Sequence, residues 1–208
     1  YIPKKDPDHE LPDWALLECC KCPHCPLNPA EHKYCPVAVN LSDFSGLFEG
    51  MKSHLEVDVT VISSARKVTK HTTVQVGTSS LIGLVMATSG CPILDRLRPM
   101  TAMHLPFSTP EEVSFRLTTM YLLAQYFRHK ANQVADWDLK GLTGFLEETQ
   151  SVNEHLCKRL NLNRTQRKTP AADSDVLLNA VNILNTSGAL AELDIEDEGL
   201  EYWKRIYS

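Results

Sequence analysis

The chain has 208 residues, of which 43% are hydrophobic and 23% are charged, and its formal net charge is −5. These fractions are ordinary for a globular protein, and no apolar run is long enough to cross a bilayer, which argues against a membrane protein. The mild acidity argues against nucleic acid as the main partner, because phosphate backbones attract basic surfaces.

The first part of the chain predicts an irregular cysteine-rich segment followed by a helix and a hairpin. Residues 15–21 favour a strand, and residues 22–35 form an irregular loop rich in cysteine and proline. Apolar residues then recur at helical spacing over 36–50, with proline at the first helical position. Alternating valines over 57–61 and again over 68–76 predict an antiparallel hairpin with one exposed face.

The remainder of the chain predicts helices. A short helix is expected over 81–88, and the sequence Thr109-Pro-Glu-Glu112 forms a capping box that starts a helix ending near Lys130. Both faces of that helix are apolar, so we expect it to be the central buried helix. Another helix starts after Asp138. Residues 161–170, within a basic stretch that includes Arg159, predict a polar, solvated linker before closing helices near 174–185 and 197–207.

Seven cysteines are placed unevenly, with five between Cys19 and Cys35, followed by Cys91 and Cys157. An odd and clustered set differs from the disulfide framework of a secreted protein, so we expect a reducing compartment. Cys157 lies in the apolar stripe of a predicted helix, which indicates an ordinary core residue. Cys19 and Cys20 are expected on opposite faces of a strand and are weaker metal-ligand candidates.

Four of these cysteines are each followed by proline: Cys22, Cys25, Cys35 and Cys91. Two residues separate Cys22 from Cys25, a spacing that lets one turn present two sulfurs to the same ion. Cys35 and Cys91 precede predicted helix starts, where backbone N–H groups lower the pKa of a thiol. The pattern predicts one metal centre held by these four residues. Because Cys91 is remote in sequence, the alternative fourth ligands are His24, His32 and His104.

A closed site of four thiolates suits zinc, which imposes no geometry beyond tetrahedral packing. Cys-Pro pairs also occur where thiolates hold an iron–sulfur cluster, and such a cluster is the alternative cofactor. No flavin or nicotinamide fingerprint accompanies the cysteines. The sequence therefore favours zinc.

A second group of polar residues lies between two predicted helices and comprises Asp95, Arg96, Arg98 and His104. One interpretation is a pocket for a small anionic ligand, in which an arginine clamps a carboxylate or phosphate and His104 moves a proton. The plainer interpretation is a surface turn in which Asp95 pairs with an arginine. We favour the turn, because nothing in the sequence fixes these groups at catalytic distance.

Several segments between residues 11 and 160 resemble an uncharacterised bacterial family, a domain of unknown function. The segments are Cys22-Pro-His-Cys-Pro-Leu27, Tyr34-Cys-Pro-Val-Ala-Val-Asn-Leu41, Thr72-Thr-Val-Gln75, Met86-Ala-Thr-Ser-Gly-Cys-Pro92, His104-Leu-Pro-Phe107 and Tyr121-Leu-Leu-Ala-Gln-Tyr-Phe127. The resemblance includes the four Cys-Pro pairs as one set and implies no assigned reaction.

The sequence as a whole predicts an α+β fold: one mainly helical domain over 1–208 with a small antiparallel β-hairpin and a metal-bound cysteine loop. The favoured function is a zinc-organised cytoplasmic binding or interaction module, with an unidentified protein or a small anionic ligand as partner. The alternative is a cysteine-dependent or iron–sulfur redox protein with Cys91 and His104 near the working site. A zinc-ribbon nucleic-acid binder ranks third because of the acidic charge.

Overall fold

A computed structural model describes residues 11–48, 50–166, 175–196 and 199–208, and in these ranges it contains seven α-helices and one two-stranded antiparallel sheet. The helices are α1 (Pro36–Ser42), α2 (Val74–Ala87), α3 (Arg98–Ala102), α4 (Pro110–Lys130), α5 (Lys140–Gln166), α6 (Val176–Glu196) and α7 (Gly199–Tyr207). The strands are β1 (Glu56–Ile62) and β2 (Lys67–Thr73). The fold is therefore mainly helical α+β, as the sequence predicts. No helix in the described ranges combines the length and the apolar character that crossing a membrane requires.

The β-hairpin is shorter than predicted, because β2 gives way directly to α2. Pairing runs from Glu56 opposite Thr73 to Ile62 opposite Lys67, and the valines of β1 are half-buried while their neighbours are exposed. The predicted second strand extended to residue 76, but the amides of Val74 and Gln75 donate to the carbonyls of Leu55 and Ser53, both at 2.9 Å. These bonds satisfy donors that a helix start leaves free, so α2 begins at Val74 and not near residue 81.

The central helix is α6, which packs against α2, α4 and α5. Ala180 and Val181 of α6 are completely buried. The expectation that α4 is the central buried helix is wrong, because Tyr126 on one of its predicted apolar faces is exposed, as are the neighbouring Leu123 and Phe127. Helical spacing identifies apolar faces, but which of them is covered depends on neighbours that are remote in sequence.

The N-terminal segment is fixed by a buried arginine of α5. Its predicted strand, over 15–21, is replaced by two 3₁₀ turns and a single β-bridge between Leu16 and Tyr34. The guanidinium of Arg159, only 2% exposed, donates to the carbonyls of Trp14, Leu16 and Leu17 at 2.8, 2.5 and 2.9 Å. Irregular backbone is stable in the interior here because the arginine satisfies its carbonyl groups.

The predicted basic linker over 161–170 is partly wrong, because α5 continues through residue 166 and residues 161–166 are helical. Residues 167–170 lie outside the described ranges. Leu156 and Leu160 are buried in the core, and Arg159 between them is buried rather than solvated. The apolar contacts of Leu156 and Leu160 stabilise α5, which continues beyond residue 160 although the sequence there is polar.

The capping box at the start of α4 is confirmed. The Thr109 hydroxyl accepts from the Glu112 amide at 3.3 Å, and the Glu112 carboxylate accepts from the Thr109 amide at 2.8 Å. This start depends on residues only three positions apart, which explains why the sequence predicts it well.

Gly77 of α2 lies against Val59 of β1, and this contact provides a test of how α2 packs on the hairpin. A Cβ at this position would lie 2.6 Å from one methyl of Val59 and 3.3 Å from the other, so rotation of Val59 cannot relieve the clash. We expect Gly77→Ala to lower the free energy of unfolding by about 1–3 kcal/mol, measured by urea denaturation, although alanine favours helix.

The matched control is Gly144→Ala in α5, where a Cβ meets no atom within 4 Å. This variant should gain about 0.5–1 kcal/mol from helix propensity alone. Adding Val59→Ala to Gly77→Ala should recover part of the loss. Equal stability of the two alanine variants would contradict the close packing of α2 on the hairpin.

The buried arginine gives a second prediction. Arg159→Met keeps the apolar stem but leaves three buried carbonyl groups without their donor, so we expect unfolding to become easier by about 3 kcal/mol or more. Lys158→Met, at the exposed neighbouring position, should change stability by less than about 0.5 kcal/mol. Thermal or urea unfolding measures both, and similar values for the two variants would refute the proposed role of Arg159.

Candidate metal centre

The first two candidate ligands lie in one turn of the cysteine-rich loop. The Cys25 amide donates to the Cys22 carbonyl at 3.0 Å, which closes this turn. Both cysteines are half-buried, and a proline follows each of them. A single turn therefore carries two thiols at the base of the loop, as the spacing in the sequence predicts.

Cys35 is fixed by backbone pairing to the N-terminal segment and directly precedes α1. Its amide donates to the Ala15 carbonyl at 2.8 Å, and the Leu17 amide donates to the Lys33 carbonyl at 2.9 Å. Pro36 is the first residue of α1, so the predicted position of Cys35 at a helix start is confirmed. The N-terminal segment that Arg159 fixes therefore also fixes the position of Cys35.

Cys91 follows a turn between α2 and the next 3₁₀ turn, and α1 holds that turn in place. Gly90 adopts a positive φ of 85°, a conformation that glycine tolerates without strain. The side-chain amide of Asn40 in α1 donates to the Pro36 carbonyl at 2.8 Å and to the Ser89 carbonyl at 3.2 Å. One asparagine therefore links the helix that starts after Cys35 to the turn that carries Cys91.

The four cysteines lie within electrostatic range of one another, and Cys22, Cys35 and Cys91 pack at the same apolar cluster. The pKa of Cys22 is raised to about 12 by burial, and further by the neighbouring thiols of Cys35, Cys25 and Cys91. Burial also raises the pKa of Cys91, with contributions in the same direction from Cys35 and Cys25. Such mutual effects require sulfur atoms that lie near one another. Cys91 is thus a neighbour of the loop cysteines despite its distance in sequence.

The expected effect of backbone N–H groups on the pKa of Cys91 is confirmed in direction, but the pKa is raised overall. The backbone N–H groups of Leu94 and Ile93 donate to its sulfur and lower its pKa, but the effect of burial is larger. Cys91 is only 7% exposed. The net result is a protonated thiol at neutral pH in the metal-free protein, which is the opposite of what a cysteine nucleophile needs.

The described side chains do not already form a coordination shell. In the described ranges, no three His, Cys, Asp or Glu side chains have the mutual arrangement that holds one metal ion. Zinc–sulfur bonds of about 2.3 Å bring sulfurs to about 3.8 Å of one another in a tetrahedral site. Coordination by these four cysteines therefore requires their side chains to converge further from the positions they adopt here.

The histidines named as alternative fourth ligands occupy different places. His24 lies within the Cys22–Cys25 turn and His32 near the end of the loop, and both are exposed. His104 lines a separate cavity beside Arg116, and both burial and Arg116 lower its pKa. Of the four candidates, Cys91 is the buried one, and its sulfur and those of the loop cysteines affect one another electrostatically.

The three remaining cysteines have other neighbours. The sulfurs of Cys19 and Cys20 lie 4.0 Å apart in a 3₁₀ turn and not on a strand. Burial is the first cause of the raised pKa of Cys20, followed by Cys19. Cys157 is half-buried and donates to the side-chain oxygen of Asn182 at 3.1 Å. These contacts describe ordinary thiols beside, and not within, the candidate centre.

Arg159 is a functional candidate that sequence reasoning missed. Its charge lowers the pKa of Cys22 and of Cys20, against the larger effect of burial. A buried positive charge beside a thiol cluster stabilises a negatively charged metal–thiolate group. The available signal was its position between Leu156 and Leu160, which places a charged residue within an apolar helical stripe.

The second predicted group of polar residues separates into surface ion pairs and one cavity residue. Arg98 pairs with Asp95 at 3.0 Å, and Arg96 pairs with Glu148 while lying 4.4 Å from the centre of the Phe145 ring. Neither arginine lines the cavity that contains His104. The interpretation as a surface turn therefore fits Asp95, Arg96 and Arg98, and an anion pocket built from these arginines does not.

Arg116 accompanies His104 instead, and the sequence analysis missed it. Arg116 lies three residues after Val113 and one before the buried Leu117, so helical spacing could have placed it on the inner face of α4. Its guanidinium donates to the carbonyls of Met100 and Met103 at 3.0 and 2.9 Å.

Comparison with known proteins gives a family and no assigned reaction. No curated protein and no solved structure matches the chain. A family model described as a domain of unknown function, DUF6901, matches residues 2–207. The match extends well beyond the range 11–160 over which the resemblance was expected, and it includes the C-terminal helices. The chain therefore belongs to the DUF6901 family, a domain of unknown function.

Proposed function

We propose that this domain is a non-enzymatic binding module organised by one zinc ion. The ion is held by the thiolates of Cys22, Cys25, Cys35 and Cys91, and it joins three segments of the chain that are separate in sequence. The observation that carries the proposal is that Cys22, Cys35 and Cys91 pack at the same apolar cluster, with Cys25 within electrostatic range and each of the four followed by proline.

A cation explains why four thiols gather at one place. Thiols are weak hydrogen-bond donors and contribute little as a polar cluster. With a pKa near 12, Cys22 ionises at neutral pH only if a metal ion stabilises its thiolate. Zinc binding then releases protons, so the affinity for the metal rises with pH.

The surroundings of the cluster also fit a metal–thiolate group. The N–H groups of Ile93 and Leu94 directed at the Cys91 sulfur are outer partners of the kind that orient metal ligands. Arg159 supplies a positive charge near Cys22, which offsets the charge of a zinc ion bound to four thiolates. The loop of residues 22–35 has little regular structure, and an ion at its base would hold it in place.

The site favours a structural role over a catalytic one. Four thiolates close the zinc shell and leave no position for substrate, and the buried, protonated Cys91 lacks the properties of a nucleophile. The cysteines are free thiols, so the proposed location is a reducing compartment such as the cytoplasm. The proposed task of the ion is to hold the scaffold, while a partner binds elsewhere on the domain.

The first test is the metal content of the purified protein. We expect one zinc per chain by mass spectrometry of the digested sample. Cys25→Ser should lose the metal and lower the melting temperature by about 10 °C or more, because the metal-binding energy is part of the folding energy.

Cys157→Ser is the matched control and should retain both metal and stability, since serine preserves the hydrogen bond to Asn182. Equal metal content in the wild type and in Cys25→Ser would refute the proposed metal site. If the purified protein is brown and contains iron and acid-labile sulfide, the bound cofactor is an iron–sulfur cluster and not zinc.

The second test identifies the fourth ligand by cobalt(II) substitution. A tetrahedral four-thiolate site gives visible cobalt bands and sulfur-to-cobalt charge transfer in the near ultraviolet. Cys91→Ser should weaken the charge-transfer band through loss of one thiolate, whereas His104→Ala should leave the spectrum unchanged. A spectrum altered by His104→Ala and unaltered by Cys91→Ser would assign the fourth position to the histidine.

A further inference from the structure

Two cavities lie side by side among the helices. Helices α2 and α6 line both of them, α5 lines the inner one, and the segment from Met100 to Ser108 lines much of the outer one. The outer cavity, of about 260 Å³, contains His104, Arg116 and Lys70 in its wall. The inner cavity, of about 160 Å³, has an almost wholly apolar wall. Gly83 and Met100 are among the residues that line both, so the cavities adjoin. Small-molecule pockets measure about 300–1,000 Å³, and the pair suits a compact ligand.

The described wall of the outer cavity is positively charged. His104, Arg116 and Lys70 are accompanied by serine, threonine and apolar residues, and none of the described residues lining this cavity is Asp or Glu. The Arg116 guanidinium donates to two carbonyls and, at 3.4 Å, to the Ser108 hydroxyl. These contacts use three of its five N–H donors.

Arg116 is half-buried, and burial lowers its pKa, while the negative charge of Glu112 acts in the opposite direction. That carboxylate also accepts from the amide of Thr109 as part of the capping box. A buried guanidinium whose charge is balanced by an anion is far more stable than one that is not. The outer cavity therefore suits a negatively charged group, for which a guanidinium offers paired donors.

The rim of the outer cavity is strained in a way that favours a binding role. Phe107 lines this cavity and has a positive φ of 60°, which is unusual for an aromatic residue. Its amide donates to the Ser80 hydroxyl at 3.3 Å, and the Lys70 ammonium lies 5.9 Å from the centre of its ring. Strain of this kind is concentrated at ligand sites, where surrounding contacts hold it.

The inner cavity contains an unpaired polar atom. The side-chain oxygen of Asn185 is buried without a hydrogen-bond partner, and Asn185 lines this cavity. A buried acceptor that lacks a donor destabilises the fold. A ligand that extends an apolar body into this cavity, with a hydroxyl or amide at its far end, would supply the missing donor.

We propose that the two cavities form one binding site for a small amphipathic carboxylate. The carboxylate lies at Arg116 and Lys70 in the outer cavity, and the apolar body extends through the shared wall into the inner cavity towards Asn185. This site goes beyond the proposed metal centre and does not depend on it, since none of the four cysteines lines either cavity.

Isothermal titration calorimetry of the full chain with octanoate tests the site, with metal content assayed in the same sample. We expect one octanoate per chain, at least tenfold weaker binding of octan-1-ol, and no binding of inorganic phosphate. An added terminal hydroxyl, in 8-hydroxyoctanoate, should increase the affinity through Asn185. Absence of octanoate binding, or equal affinities for octanoate and octan-1-ol, would overturn the proposal whatever the metal content.

Charge variants assign the carboxylate position. Arg116→Gln should weaken octanoate binding at least tenfold, while Arg98→Gln, which loses only a surface pair with Asp95, should bind normally. Because Arg116 also holds backbone carbonyls, Lys70→Gln provides a second variant on an exposed strand, and a severalfold loss is expected. Normal binding by both Arg116→Gln and Lys70→Gln would place the ligand elsewhere and refute the assignment.

A cavity-filling variant assigns the apolar body. Gly188 lines the inner cavity, and a Cβ built there meets no atom within 4 Å. Gly188→Leu should weaken octanoate binding while butanoate, which needs only the outer cavity, is affected less. Equal effects on the two acids would exclude the inner cavity from the site.

Discussion

The hydrogen bonds from the buried guanidinium of Arg159 to the carbonyls of Trp14, Leu16 and Leu17 support the irregular segment that precedes α1. This segment has no sheet to satisfy its backbone, so without the arginine it would be poorly stable in the interior. Once fixed, it pairs with residues 33–35 and thereby sets the position of Cys35 and the start of α1. A single charged side chain on α5 thus organises residues more than a hundred positions earlier.

The proposed zinc centre and the proposed ligand site share one stretch of chain. Cys91 begins it, and the amide of Leu94 donates to the Cys91 sulfur, while the Leu94 side chain lines the inner cavity. Because Leu94 is only three residues from Cys91, a metal ion bound to Cys91 would also restrict the position of this part of the cavity wall. In this proposed arrangement, zinc would supply rigidity to the scaffold, and the positive wall around Arg116 would supply ligand recognition.

Electrostatics distinguishes the two sites. At the cysteine cluster, burial and mutual repulsion raise the pKa of Cys22 and Cys91, so the cluster gains most from a cation. At the outer cavity, a half-buried arginine and a nearby lysine, with no acidic residue among the described lining, gain most from an anion. The net charge of the chain does not reveal that one site favours a cation and the other an anion, because packing of the helices creates both sites.

The sequence by itself determined the features that depend on neighbouring residues: the capping box before α4, the proline start of α1, the alternating β1 strand and the Cys22–Cys25 turn. It also identified the four Cys-Pro pairs, but not that Cys91 returns to the loop. Tertiary structure decided where β2 ends, that residues 161–166 are helical, that α6 and not α4 is central, and that Arg116 replaces Arg96 and Arg98 beside His104. The physical reason is that burial, and the partner of each buried polar group, depend on segments remote in sequence, which local spacing does not encode.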